Sequence, residues 1–208
     1  MALLGIDVSE YQGDISFAQV KTSPHSGFVY AKATEGMTLQ DAKFTQYHDG
    51  AKVNSIPFGA YHFFHFGTDP QAQANNFLSR TAGYEGELVP MVDVELASMP
   101  GGGMAARECI GRLGVFLDII ESRLHGKRAL IYTGWDFWNT ALGGSDSFAG
   151  HQVWVAAYCD PPAPVPTGWT AASLWQYSSS VQVAGIARPV DGDQLLSGNL
   201  LTISRAGV

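Results

Sequence analysis

The segment LVPMVDVEL at residues 88–96 decides how the rest of the chain is read. Its apolar residues form a run of the kind that makes a short buried strand, and two carboxylates, Asp93 and Glu95, interrupt it at the end toward which the chain travels. Strand side chains alternate faces, so residues two apart share one, separated by about 6.6 Å at roughly 3.3 Å per residue. Asp93 and Glu95 therefore point the same way. Two unpaired carboxylates are expensive to bury in a valine-rich strand, which puts them at its mouth, where solvent, a partner or a ligand can meet them. That makes the pair a candidate acid/base site. On the residues alone, helix capping and ion pairing are equally good readings.

Further strands are expected on both sides of this one, at residues 3–8, 28–33 (FVYAKA), 57–66 (PFGAYHFFHF), 128–133 (RALIYT), 153–158 (VWVAAY), 173–177 (SLWQY) and 187–191. Helical patterns fall at 42–54, at 69–81 with Pro70 near its start, and at 105–124. In the last of these Ile110, Leu113, Phe116, Leu117, Ile120 and Leu124 keep a 3.6-residue period. Nearly all-apolar strands alternating with helices favour a parallel sheet covered on both faces, and eight of them favour a closed barrel. Residues 143–150 and 160–168 are rich in Gly, Pro and Ser and carry no helical period. The expected fold is thus α/β: a single irregular (β/α) barrel of about eight strands, with helices missing in the C-terminal half. Gly101-Gly102-Gly103 reads as a loop over the end of the acidic strand. With no linker, repeat or low-complexity tract, residues 1–208 are expected to form one domain.

A chain of 208 residues is long enough for one well-buried core, and 46% hydrophobic with 15% charged residues fits a compact protein. The net charge of −7, without a Lys/Arg stripe, argues against nucleic-acid binding. The N-terminus has no basic region ahead of an apolar stretch, and no apolar run approaches the eighteen or so residues of a membrane span, so neither a secretory signal nor a membrane anchor is expected. Cys109 and Cys159 lie in no metal or redox spacing and are expected as free buried thiols. His62 and His65, three apart on a strand, face opposite ways and lack a third ligand, so no metal and no cofactor is expected.

In such a barrel chemistry gathers at the C-terminal ends of the strands. Asp7 ends the first, Tyr61 and His62 lie in the third, Asp93 and Glu95 close the fourth, Tyr132 the fifth, Tyr158 the sixth, Gln176 and Tyr177 the seventh, and Asp191 the eighth. A carboxylate mouth lined by aromatic rings suits a carbohydrate, which offers C–H faces to stack and hydroxyls to bond. Tyr61, Tyr132, Tyr158, Trp175 and Gln176 are the candidate substrate-binding residues; for the aromatics, simple filling of the barrel is the competing reading. Lys32 and Glu35 read first as a structural ion pair.

With these residues in place, the chain resembles the family-25 glycoside hydrolases, the Chalaropsis-type lysozymes common among phage endolysins. The matching segments are GIDVSEYQG at 5–13, YAKATEG at 30–36, FGAYHFF at 58–64, PMVDVE at 90–95, VWVAAY at 153–158, LWQYSSS at 174–180 and VDGDQ at 190–194. The resemblance implies cleavage of the β-1,4 bond between N-acetylmuramic acid and N-acetylglucosamine in peptidoglycan. It puts Glu95 at the position of the general acid, Asp93 as its partner, and Asp7 and Asp191 as two further acids of the catalytic group. The chain departs from the family's usual Asp-x-Asn near the last strand, carrying Asp191-Gly192-Asp193 instead.

Glycoside hydrolysis needs an acid for the leaving oxygen and a group supporting an oxocarbenium-like centre. An aspartate or the sugar's own 2-acetamido group fits the second role, and the spacing of Asp93 and Glu95 does not choose between them. A catalytically silent carbohydrate-binding barrel is the alternative from another class, opposed by the intact acids. A metal-dependent barrel enzyme would need a His/Asp cluster or a phosphate loop. The chain is further expected to be a monomer acting on cell-wall peptidoglycan, without a separate wall-binding module. It is expected to be made in the cytoplasm without a signal peptide and to reach the wall after holin-mediated release in a phage-infected host. An antibacterial effector with the same chemistry is the alternative.

Overall fold

The computed structural model describes residues 2–84, 88–124, 127–198 and 200. In chain order its elements are β1 (Leu3–Val8), α1 (Phe17–Val20), β2 (Val29–Glu35), β3 (Leu39–Gln40), α2 (Phe44–Val53), β4 (Phe58–Phe63), α3 (Pro70–Thr81) and β5 (Met91–Val94). They continue with α4 (Ala106–Glu121), β6 (Leu130–Gly134), α5 (Trp135–Thr140), β7 (Val153–Ala156), β8 (Leu174–Val181) and β9 (Val190–Leu195). All nine strands belong to one sheet in the order β1-β9-β8-β7-β6-β5-β4-β2-β3, and a parallel β1–β2 pairing closes it into an eight-stranded barrel with β3 hanging from β2.

The expected irregular barrel is present, with one change of direction. β9 runs antiparallel to both of its neighbours, β8 and β1, whereas a parallel sheet was expected throughout. The reason is chain length. Only residues 182–189 separate β8 from β9, and a parallel return needs a crossover of a dozen or more residues. Asp191 consequently sits near the start of its strand and still lies at the rim where the other strands end. No helix separates β7 from β8 or β8 from β9, as the Gly/Pro-rich links implied. The six-residue α5 went unforeseen because it is too short to display a period. β5 is shorter than the apolar run that announced it; Pro90, which has no N–H to give a ladder, immediately precedes it, and Glu95 is the first residue beyond it.

Alternation along the strands sorts the core into two parts. Outward-facing Ile6, Val8, Val29, Ala31, Val92, Val94 and Ile131 pack beneath helix residues such as Phe44, Phe77, Leu113 and Phe116. Inward-facing Tyr30, Met91, Leu130, Tyr132, Trp154 and Leu174 fill the barrel with Phe28. Tyr30 and Phe28 meet Trp154 edge to face at ring-centroid distances of 5.1 and 6.1 Å, an arrangement aromatic quadrupoles favour. Two glycines make room for these rings: a Cβ on Gly5 would lie 2.3 Å from Phe28, and one on Gly59 would lie 2.3 Å from Tyr30. Cys109 is a free buried thiol as expected, but Cys159 is free and exposed, because it begins the proline-rich β7–β8 link on the surface.

Candidate active site

Three strand ends deliver the four acids. Asp7 lies near the end of β1, Asp93 in β5, Glu95 just beyond β5, and Asp191 near the start of β9. Asp7 and Asp191 are directly paired across the antiparallel ladder, so their side chains share the inner face. Asp7 and Asp93 are buried, at 8% and 9% exposure, while Glu95 and Asp191 are partly open. Glu95 has an extended backbone, held because its N–H donates to Ser98 Oγ at 3.0 Å and its carbonyl accepts from the Ser98 N–H at 2.9 Å. Ser98 is itself buried, which makes this clamp a fixed support.

The carboxyls form one electrostatic group. Burial lifts Asp7 well above the ordinary aspartate range and the charge of Asp191 adds to this, opposed by hydrogen bonding from Gln176 and Asp193. Burial also lifts Asp93 strongly, with Glu95 and Asp7 reinforcing and Lys32 opposing. Glu95 is raised by burial and held back by Lys32. Burial and then the Glu95 charge push Asp191 up to about 6. Groups coupled in this way hold their protons as a set.

A polar brace stands behind them. The hydroxyls of Tyr132 and Tyr158 donate to Gln176 Oε1 at 2.9 and 2.7 Å, and Gln176 Nε2 donates to Asp7 Oδ2 at 2.8 Å. Two phenols on one oxygen leave the amide nitrogen for the carboxylate, so the network itself orients Gln176. Tyr61 is buried beside Asp7 and Asp93; burial, then those charges, push its phenol far above the usual range. Tyr158 is 60% exposed and offers a ring at the rim.

Trp175 does not join them. It precedes Gln176 on β8, and alternation turns it to the outer face, where it packs with Val153, Val155 and Ala172 and donates Nε1 to the Ala157 carbonyl at 2.7 Å. The expectation that Trp175 contacts substrate alongside Gln176 is corrected on this ground. His62 likewise points outward: it is fully buried, bonds Thr34 Oγ1 and Gln73 Oε1 at 2.7 and 3.2 Å, and stacks on Phe116 at 4.8 Å. Burial drives its pKa down to about 3, so it is a neutral structural histidine. Among the described residues, no group of three His, Cys, Asp or Glu is placed to hold a metal ion.

Two residues matter more than their sequence suggested. Lys32 pairs with Glu35 as foreseen, but it also lies 5.0 Å from the Phe63 ring centroid and supplies the positive charge felt by Asp93 and Glu95. Glu35 is held from its other side by His65 Nε2 at 3.0 Å. Asp193 is fully buried inside the barrel, between Gly5 and Gln176 in register. The signal for Lys32 was its inward parity on β2, two residues from inward-facing Tyr30.

The chain matches the sequence profile of Glycosyl hydrolases family 25 over residues 6–186. Lysozyme M1 of Streptomyces globisporus is 32% identical over 195 residues; the overlap takes in 90% of this chain and 65% of that protein, so the chain spans only part of that relative. The N,O-diacetylmuramidase of Chalaropsis sp is 31% identical over 199 residues, covering 90% of this chain and 93% of that one. The crystal structure of the bacterial lysozyme from Streptomyces coelicolor superposes with a TM-score of 0.84 at 29% identity, covering 95% of this chain and 93% of the other. Closed barrel, carboxylate mouth and profile agree, and the chain belongs to Glycosyl hydrolases family 25.

Proposed function

We propose that the carboxylate mouth cleaves the β-1,4 bond between N-acetylmuramic acid and N-acetylglucosamine in peptidoglycan, with Glu95 as the general acid. The chain is a glycoside hydrolase of the muramidase class. The observation that carries the residue assignment is the convergence of four mutually repelling carboxyls on one rim, of which Glu95 is partly open to solvent and has its backbone fixed by Ser98. Burial raises the proton affinity of Glu95 against the opposing charge of Lys32, a direction that favours its role as donor to the leaving oxygen. Asp93 precedes Glu95 by two residues on the same strand end and keeps 9% exposure at the mouth, which makes it the acceptor proposed for the N–H of the sugar's 2-acetamido group. In this reading Asp93 orients that acetamide to support the oxocarbenium-like centre. Asp7 and Asp191 supply negative potential at the same rim. Tyr158 offers its ring to the sugar, and Tyr61 and Tyr132 line the floor.

Glu95→Gln should abolish lysis of purified peptidoglycan with an unchanged circular dichroism spectrum, and near-normal turnover would remove Glu95 from the acid role. Digests should yield new N-acetylmuramic reducing ends; new N-acetylglucosamine ends would refute the bond assignment. For its setting we propose a monomer released by a holin in a phage-infected host, supported by the resemblance to lysozymes common among phage endolysins. Co-expression with a holin should lyse the producing cells, and expression alone should leave them intact.

A further inference from the structure

Asp193 has no part in the chemistry above, yet it is a carboxyl with 0% exposure in the centre of the barrel. Neither of its oxygens, nor the Trp154 indole N–H, closes a hydrogen bond of good geometry, and all three atoms are sealed from solvent. The groups acting on it are Asp7 from β1, Trp154 from β7 and Asp191 from its own β9, with Gln176 of β8 beside it in register; none is a cation. An ionised carboxyl in that enclosure would be without a counter-charge. Its neighbour Asp7 is already an acceptor, because Gln176 Nε2 donates to it and the Gln176 oxygen is committed to Tyr132 and Tyr158.

We infer that Asp193 is a positioning residue that stays protonated and donates its hydrogen bond to Asp7, keeping Asp7 ionised and turned toward the catalytic rim. The inference rests on the muramidase reading of that rim. Its logic is that of two carboxyls sharing one proton: the fully enclosed member keeps it, and the member with a second donor holds the charge. Register supports this division. Asp193 lies opposite Gly5, two residues deeper on β1 than Asp7, so it approaches Asp7 from within the barrel and leaves the rim to substrate. Burial, above all, and then the charges of Asp7 and Asp191 raise the proton affinity of Asp193 far above the ordinary range, in accord with the same division.

The test has two readouts. In protein carrying ¹³C-labelled aspartate carboxyls, one signal should keep the chemical shift of a protonated acid at neutral pH and should vanish in Asp193→Asn. Absence of any protonated aspartate carboxyl at neutral pH in the wild-type enzyme overturns the inference, and so does survival of that signal in the variant. In kinetics, Asp193→Asn keeps a donor and should retain most turnover with the acid limb of kcat/KM in place. Asp193→Leu removes the donor and should move that limb to higher pH by about one unit; Asp193→Ala serves if the leucine variant does not fold. An inactive Asp193→Asn enzyme, or a donor-free variant with an unmoved acid limb, refutes the positioning role. Glu95→Gln separates this from the parent reading, since an active Glu95→Gln enzyme refutes the acid assignment and leaves the carboxyl signal of Asp193 unaffected.

Discussion

Replacing Lys32 by methionine removes a cation whose charge acts on both Asp93 and Glu95 while keeping most of the side chain's volume. Lys32 is on β2 and the acids are on and just beyond β5, with β4 between, so the backbones are two strand spacings apart, roughly 10 Å. The lysine stem shortens the charge separation to somewhere between about 7 and 10 Å. At an effective dielectric constant near 20, such a pair is worth roughly 1.7 to 2.4 kcal/mol. Glu95 is partly open and Lys32 also serves Glu35, so about half of this is lost to screening and competition. What remains, about 1 kcal/mol, corresponds to slightly less than one pK unit. The sign is fixed: losing a cation disfavours the carboxylate, so Glu95 holds its proton to higher pH. The alkaline limb of kcat/KM on purified peptidoglycan should therefore move up by about half to one unit in Lys32→Met, whereas Lys32→Arg should stay near wild type. An alkaline limb that does not move, or moves down, would show that Glu95 is not the acid in the field of Lys32.

Other consequences are equally direct. Asp191 folds with its carboxyl pushed up to about 6, above its unfolded value near 3.9, so its contribution to stability is complete below about pH 4 and is lost as pH rises through about 6. Asp191→Asn should equal the wild type in denaturant stability at pH 4 and exceed it by about 1–2 kcal/mol at pH 7, after discounting for partial exposure; a variant less stable at pH 7 would contradict this. Gly59→Ala drives a Cβ to 2.3 Å from the Tyr30 ring, which is anchored by a 2.9 Å hydrogen bond to the Val89 carbonyl, and should cost about 2 kcal/mol and about 5 °C in Tm by calorimetry. Gln176→Leu strips Asp7 of its 2.8 Å donor and leaves the Tyr132 hydroxyl unpaired. It should cost about 1–3 kcal/mol by urea denaturation and shift the acid limb upward, because Asp7 then keeps its proton to higher pH.

The alternation of apolar strands with helices was enough to read a barrel, and the Gly/Pro-rich links told where its helices stop, because helix and strand periods are local properties of the chain. The same parity rule grouped Asp93 with Glu95, and the motif order brought Asp7 and Asp191 to the same rim. Strand direction was not local: β9 turns back because residues 182–189 are too few for a crossover, and only the closed sheet sets Asp191 opposite Asp7. Side-chain facing also needed the register, which sends Trp175 outward and Gln176 inward from adjacent positions. Charges acting across strands were invisible in one dimension. Lys32, 61 positions before Asp93 in the chain, reaches it only through the barrel, and Asp193 acquires its character from complete enclosure. LVPMVDVEL thus determined where the acids lie, while the tertiary structure decided which neighbours set their protonation, since burial and Coulomb interaction depend on distance in space.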